Sequence, residues 1–532
     1  MQFENIKKNF SYSSYNFFFY LILSLVISLL LSSSIDQRSV NSGLYLSNKI
    51  NLFDTSNLLN LVYTNSYTTI YQISEIILRF GLSTYFLNFF LLFLSLFFNS
   101  YGIFLIVKSI TKNYFLSLTT SLLAIVTTLN FGDLDYPVLV LSEHTNGMLG
   151  SSLVVFIFGL VGNKNYKLAL LFCFICLTFH LVIGVWISLV TLITFYFFNK
   201  IILFSYFKDK KNILYLFVIL FVFLISVLYF QFSKTDILYE FDATLFKTYM
   251  LAWEHHRNFA IKINFFYIFL STLLFFSVFF SLKFKKEKLN PETVIMLKFL
   301  LVHLILSFLI YISFKLFPGL FNEKLIQIMP SRFFLLHSFF GLYILISLIL
   351  LYILEIDKIK RLLILFLSIV YLIPSFLYFE KSPILNNLYK KIIVKKENYD
   401  QQFWKNLKLQ KFKNGYLLSS TNICTKTLKE IRQPLLICIE SIDYLNYVPN
   451  LIKPVSEIII DVYEIDFSNP PEKNHGGLWY DSSYKKVFED RSIEKWINIS
   501  KKYNLNGLIL PSSWKLNLDK TLVGKNYTYY RL

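Results

Sequence analysis

Trp253-Glu254-His255-His256-Arg257-Asn258 gathers a carboxylate, two imidazoles and a guanidinium into one polar stretch between two long apolar runs, Ile213 to Phe230 and Phe265 to Leu282. Arg257 offers a rigid fork that matches phosphate geometry, and Glu254, His255 and His256 can hydrogen-bond a phosphate or a sugar beside it. As joint metal ligands the two histidines are poorly placed. Neighbouring side chains diverge by about 100° on a helix and point to opposite faces of a strand. The same residues also suit an interfacial belt that only anchors a span.

Other ionisable groups recur in similar settings. Asp54, in Asn51-Leu52-Phe53-Asp54, is the first candidate for a general base, because a carboxylate beside apolar surface gains basicity and can take a proton from an acceptor hydroxyl. It also fits, and more readily, the N-cap of a short helix starting at Thr55-Ser56. Asp36 directly follows the first apolar run; it reads as a polar stop and, less strongly, as a substrate contact. Glu143 and His144 share the stretch Asn130 to Asn146 with Asp133 and Asp135, and no Lys or Arg lies there. Glu143 is the second candidate for catalysis and His144 one for substrate binding, and both also suit a solvated loop. His180 stands in an apolar run, Phe179-His180-Leu181-Val182-Ile183-Gly184, where a hydrogen-bonded packing role competes with a substrate-binding one. Arg332, ahead of the apolar run 333–354, suits a phosphate or an ordinary flanking anchor. No CxxC motif lies in a polar segment and no His-rich tract has zinc spacing, so a structural zinc is not indicated. The residues imply no cofactor, and a divalent metal stays open.

The elements that must position these groups are membrane helices. Of 532 residues, 55% are hydrophobic and 19% aromatic, and several runs are long enough to cross about 30 Å of hydrocarbon at about 1.5 Å per helical residue. The fold class is therefore a polytopic α-helical membrane protein. The formal charge of +19 does not indicate nucleic acid, because Lys and Arg fall in short clusters between apolar runs and not on one folded face.

Those clusters set the expected topology under the positive-inside rule. Lys7 and Lys8 precede Phe17 to Leu31, read as an uncleaved first helix and not a signal peptide, with a cytoplasmic N-terminus. Residues 35–78 follow as a polar external loop. Leu168 to Phe198 must fold as a hairpin of two short helices, breaking near His180 and Gly184, if the lysines on both sides of it are to face the cytoplasm. About eleven crossings result, over residues 1–380, in a multi-pass protein of the cell (inner) membrane.

Residues 381–532 are expected to form a small extracytoplasmic α/β domain. Strands are predicted at Tyr416 to Leu418, Leu435 to Ile439, Ile458 to Val462 and Gly507 to Leu510, and an amphipathic helix at Ser492 to Tyr503. The chain should close in a hairpin turning at Gly524-Lys525-Asn526. Pro470 to Gly477 reads as a long loop. Cys424 and Cys438 fit either one disulfide outside the cytoplasm or two free thiols, while Cys173 and Cys176 read as buried small side chains.

The long mixed-charge loops and the soluble domain thus share one face, opposite short Lys-rich turns. Together with the first-loop acids, His180 and Gly184, His255-His256 and Pro330-Ser331-Arg332, this arrangement resembles the GT-C superfamily of integral-membrane glycosyltransferases, and within it the uncharacterised bacterial GT-C-like proteins. The resemblance spans nearly the whole chain. It implies transfer of a sugar from a polyprenyl-phosphate donor on the extracytoplasmic face to a glycan, lipid or protein acceptor, with the lipid bilayer and the lipid-linked donor as partners. The first loop departs from the pattern: where such enzymes often carry an acidic pair or an acid near a tyrosine, Asn41 precedes Tyr45 here and Asp54 follows later. Two other functions fit the chain. A transporter or flippase for a lipid-linked or small solute needs polar groups inside its spans, and a non-catalytic assembly protein for cell-envelope glycans would tolerate loss of any single acid. Charge concentrated at the span ends favours surface chemistry over a permeation path.

Overall fold

Backbone that crosses hydrocarbon must satisfy its own N–H and C=O groups, and the apolar runs of this chain do so as helices. The computed structural model describes residues 2–32, 38–126, 146–254, 265–284, 286–317, 331–353 and 399–532, less 411, 472, 475–477 and 480, with the single residues 319, 325 and 328. Helix α1 (Gln2–Leu31) is followed by three short helices, α2 (Ser39–Leu46), α3 (Leu58–Asn65) and α4 (Thr69–Arg79). Then come α5 (Thr84–Thr111), α6 (Tyr114–Val126), α7 (Asn146–Gly162), α8 (Tyr166–Phe179), α9 (Leu181–Phe198), α10 (Lys200–Lys208), α11 (Lys210–Ser233) and the short α12 (Ala243–Ala252). Helices α13 (Phe265–Phe284), α14 (Pro291–Leu316), α15 (Ser331–Leu335) and α16 (Gly341–Ile353) complete the apolar part.

Among the described residues five helices are long and apolar enough to cross a membrane: α5, α9, α11, the Tyr267–Phe284 part of α13, and α14. A sixth results if the segments Phe333–Phe339 and Gly341–Leu351, bent by 57° at their junction, count as one span. Shorter apolar helices at Tyr15–Leu31, Tyr114–Ile125, Gly147–Gly162 and Tyr166–Phe179 pack among them. These fall short of the ~20 residues that a perpendicular crossing needs, so the described helices supply fewer full spans than the eleven crossings expected. The predicted run Leu362 to Tyr378 lies outside the described residues.

The expected hairpin is present. Helices α8 and α9 break at His180 and run antiparallel, with the Tyr166 and Phe195 rings 5.7 Å apart at the open end and Cys173 Sγ 3.3 Å from Thr191 Oγ1 midway. A Cβ on Gly184 would stand 2.4 Å from the Leu177 Cα, so only glycine admits this close return. Glycine has the same use between α5 and α7, where a Cβ on Gly102 would meet the Phe156 Cα at 2.8 Å.

The turns sort to two ends. At one end Lys112 Nζ donates to the Lys288 carbonyl at 3.4 Å, Lys164 pairs with Glu292 at 3.7 Å, and Lys167 pairs with Asp209 at 2.6 Å. At the other end the hairpin tip meets the first loop, where Thr68 Oγ1 donates to the Phe179 carbonyl at 2.9 Å.

The C-terminal part comprises α17 (Tyr399–Lys408), β1 (Tyr416–Ser419), α18 (Cys424–Ile431), α19 (Ile439–Asp443), α20 (Ile452–Tyr463), the two-residue strands β2 (Lys473–Asn474) and β3 (Leu478–Trp479), α21 (Ser482–Asp490), α22 (Ile493–Tyr503), β4 (Leu505–Pro511), β5 (Lys520–Val523) and β6 (Tyr527–Arg531). Its sheet has the order β1-β4-β6-β5, with β1 parallel to β4 and the remaining pairs antiparallel. The predicted helix after Ser492 and the closing hairpin are as expected, with Ser492 accepting from Lys495 N as the helix cap.

Two predicted strands need correction. Ile458 to Val462 belongs to helix α20, whose buried residues Ile452, Val455, Ile459 and Val462 repeat at helical spacing while Ile460 is exposed. Pro454 is tolerated there because it lies in the first turn, where the N–H has no helical partner. Leu435 to Ile439 is reduced to a single parallel bridge between Leu435 and Leu417. Ser441 Oγ captures the Cys438 N–H at 3.1 Å and starts α19 instead.

Candidate functional site

The first-loop helices and α12 pack on the C-terminal part. One continuous apolar core takes Val40, Leu44, Tyr45, Leu59 and Val62 from the loop, Phe246, Tyr249 and Trp253 from α12, and Leu417, Leu435, Val455 and Ile459 from the C-terminal part. Burying large side chains on both sides of such a contact contributes about 1.5–3 kcal/mol for each. The segments that follow α1 and α11 are therefore roofed by the C-terminal part at the end of the bundle away from the lysine-rich turns.

Polar groups lock the contact. Arg38 Nη1 pairs with Asp443 Oδ2 at 2.7 Å. Asn41 Nδ2 donates to Glu440 Oε1 at 2.7 Å and to Thr425 Oγ1 at 3.0 Å, and the Cys438 thiol donates to Glu440 Oε2 at 2.8 Å. Glu440 is fully buried. Burial pushes the phenols of Tyr45 and Tyr63 and the Cys438 thiol well above their ordinary values, so all three stay protonated near that carboxylate. Cys424 and Cys438 are free thiols. From α12, Tyr249 Oη donates to the Ile442 carbonyl at 2.7 Å, and Trp253 Nε1 to the Phe467 carbonyl at 2.7 Å.

The residues singled out in the sequence are distributed as follows. Trp253, the first member of the polar hexapeptide, lies against the roof, and Glu254 directly after it is buried, its N–H on the Tyr249 carbonyl at 3.1 Å. Asp54 is exposed, and its carboxylate is turned back on Ser56, accepting from Ser56 N at 2.8 Å and from the Ser56 hydroxyl. It does not cap a helix at Thr55; Asn57 caps α3, accepting from Asn60 N at 3.1 Å. The neighbouring Phe53 ring lies 4.7 Å from the Tyr416 ring, and burial together with the Asp54 charge pushes the Tyr416 phenol up to about 12. Asp54 is therefore an accessible carboxylate at the seam between loop and roof. His180 forms the half-buried hairpin tip, its Nδ1 accepting from Ile183 N at 3.4 Å as the cap of α9. Arg332 is the second residue of α15. Asp36, Glu143, His144, His255, His256 and Arg257 lie outside the described residues.

A second polar cluster lies within the apolar helices. His303, mid-way along α14, accepts from Trp186 Nε1 of α9 at 3.1 Å through Nδ1, and among the described residues its buried Nε2 has no hydrogen-bond partner. His337 Nε2 lies 2.8 Å from Ser271 Oγ and 3.2 Å from Tyr267 Oη, and Tyr267 in turn donates to the Phe334 carbonyl at 2.7 Å. The two imidazoles are both fully buried, with ring centres 5.9 Å apart. His337 sits in the bend between α15 and α16, where a broken helix leaves carbonyls to be satisfied from outside. Neither histidine stands out by motif or charge pattern, but an imidazole inside an apolar run is itself the signal that would have marked them. Among the described residues no group of three or more His, Cys, Asp or Glu could hold a metal ion.

No protein-family model matches the chain, and no curated protein matches it.

Proposed function

We propose that the protein is a glycosyltransferase-like membrane enzyme of the kind the GT-C resemblance implies, working at the roofed end of its bundle on the extracytoplasmic side of the cell membrane. The observation that carries this reading is the convergence of the first-loop helices, α12 with Glu254, and the C-terminal part at the end opposite the lysine-rich turns. Under the positive-inside rule those turns face the cytoplasm, and the N-terminus with them, as in the eleven-crossing topology. An acceptor hydroxyl would attack the sugar C1 and lose its proton to Asp54 while the C1–O bond to the lipid phosphate breaks. The departing polyprenyl phosphate needs positive charge near it, which Arg257 or Arg332 would supply.

The test is to incubate the purified protein with a panel of lipid-linked sugars and acceptors and to measure released lipid phosphate. Asp54→Asn keeps an acceptor oxygen for the Ser56 turn, so it should fold and bind donor normally yet turn over roughly two or more orders of magnitude more slowly. Arg332→Ala should mainly weaken donor binding. No release across the panel, or a fully active Asp54→Asn, removes the assignment.

A transporter or flippase is favoured by a different observation, the buried His303 and His337 beside a bent helix pair, since polar groups at broken helices line substrate paths in such proteins. Protein-dependent movement of a lipid-linked solute across reconstituted vesicles, without release of lipid phosphate, would put this reading first. Lack of both activities leaves the assembly role.

A further inference from the structure

A cavity of about 290 Å³ opens between α13 and α14, lined among others by Ser271, Thr272, Phe275, Phe276, Phe308 and Phe334. This is just below the ~300–1,000 Å³ typical of small-ligand pockets, with room for one ring and the start of a chain. Among the described residues its lining contains no charged side chain. Phe276, Ile305, Phe308 and Leu309 are exposed on the outer surface of two helices that are each long and apolar enough to cross a membrane, so an entering molecule would come from the hydrocarbon. Leu304 to Leu309 begin thirteen residues into α14, about 20 Å along the helix at 1.5 Å per residue. A charged head group is expensive at such depth.

The inner wall is different. Ser271 is buried, lines the cavity and also lies 2.8 Å from His337 Nε2. Tyr267 gives its own proton to the Phe334 carbonyl, so His337 Nε2 carries the N–H and donates toward Tyr267 and Ser271, and the Ser271 hydroxyl keeps its proton for a ligand acceptor. Tyr267 and the bend at His337 hold that imidazole from behind. Four phenylalanine rings around the Ser271 hydroxyl, with Thr272 beside it, fit a flat, uncharged, oxygen-bearing ring with an apolar tail better than a flexible chain alone.

We propose that the cleft between α13 and α14 is a binding site for a quinone-class lipid whose ring oxygen hydrogen-bonds Ser271 while its tail extends into the bilayer. The proposal concerns binding and stands apart from the transferase reading, requiring only that these helices lie in a membrane. The full chain, in nanodiscs, is photolabelled with an azido-quinone carrying a decyl tail, and labelled peptides are mapped by mass spectrometry. Label should appear within 265–284 and 291–316 and be displaced by unlabelled decyl-quinone. Decanol should compete at least about tenfold less well, because it lacks the ring that stacks on the phenylalanines. Ser271→Ala should weaken binding by about fivefold, the scale of one neutral hydrogen bond. Ile305→Trp, which fills the cleft from its exposed side, should abolish labelling there and keeps the test valid if Ser271→Ala fails to fold. Labelling elsewhere, equal competition by decane or decanol, unchanged affinity in a folded Ser271→Ala, or undiminished labelling in Ile305→Trp would each overturn the proposal.

Discussion

Replacing Arg38 by alanine tests whether the roof is held by the polar lock between the first loop and the C-terminal part. The guanidinium is 10% exposed and the Asp443 carboxylate 2%, with 2.7 Å between them. Removing one partner of so buried a pair takes the shortest charge-assisted bond from the other and costs up to about 3–5 kcal/mol. The neighbouring bond from Asn41 to Glu440 spans the same contact, so the loss falls on opening of the contact before it falls on the sheet. At about 1.4 kcal/mol per decade, the open population should rise by up to about two to three and a half orders of magnitude. Cys438 reports that opening, because its thiol is 2% exposed and hydrogen-bonded to Glu440 beneath the loop. Maleimide labelling of the intact protein, quantified on the peptide carrying Cys438, should accelerate by that factor in Arg38→Ala. Replacing both charges, as Arg38→Met with Asp443→Leu, should recover most of the protection, since an apolar pair leaves no charge stranded. A labelling rate in Arg38→Ala within about threefold of the wild type would refute the lock, because the cost of the lost pair would then be below about 1 kcal/mol.

Gly184→Ala places a Cβ 2.4 Å from the Leu177 backbone, and relief by backbone shift should cost about 1–3 kcal/mol, read as a lower thermal midpoint in detergent. Asp461 is held below the usual carboxylate range by hydrogen bonds from Lys502 and Tyr503. A depressed folded value means its stabilisation is present above the unfolded pKa and lost as pH falls through the lower folded one. With the Asp461 side chain 34% exposed the effect is at most about 1 kcal/mol. Denaturant curves of the wild type and Lys502→Met should differ by that amount near neutrality and converge well below pH ~3.9.

Much of the architecture is legible in the chain because hydrocarbon leaves the backbone few choices. The hairpin at His180 follows from lysines on both sides of a run too long for one short helix, and Tyr166 lies beside Phe195 as that reasoning requires. The convergence of loop and roof follows from charge bookkeeping in the same way. Local partners are harder to foresee. Asp54 reads as a base and, more readily, as a cap, and only the competing Asn57 side chain decides which residue caps α3. Glu440 lies in Leu435-Leu436-Ile437-Cys438-Ile439-Glu440, where no spacing hints that Asn41, some four hundred residues earlier, will satisfy it. Ile458 to Val462 is β-branched and strand-like in isolation, and the helical repeat of its buried neighbours overrides that preference. His303 and His337 were legible by the rule that marks His180, but not as a pair, because their proximity depends on how α14 meets the bend.

Helix α11 is 24 residues long, with only 6% of its most apolar window buried. At about 1.5 Å per residue it is some 36 Å long, more than the ~30 Å of a typical hydrocarbon layer, so its tilt answers to the thickness of the surrounding lipid. Near its far end, however, Ser226 accepts from Gln72 through its carbonyl at 2.7 Å, and Tyr229 donates to Glu75 at 2.7 Å. Both partners belong to α4, in the layer beneath the roof. A thinner bilayer that tips α11 therefore pulls directly on α4, and lipid composition becomes a mechanical input to the layer that carries Asn41 and Asp54.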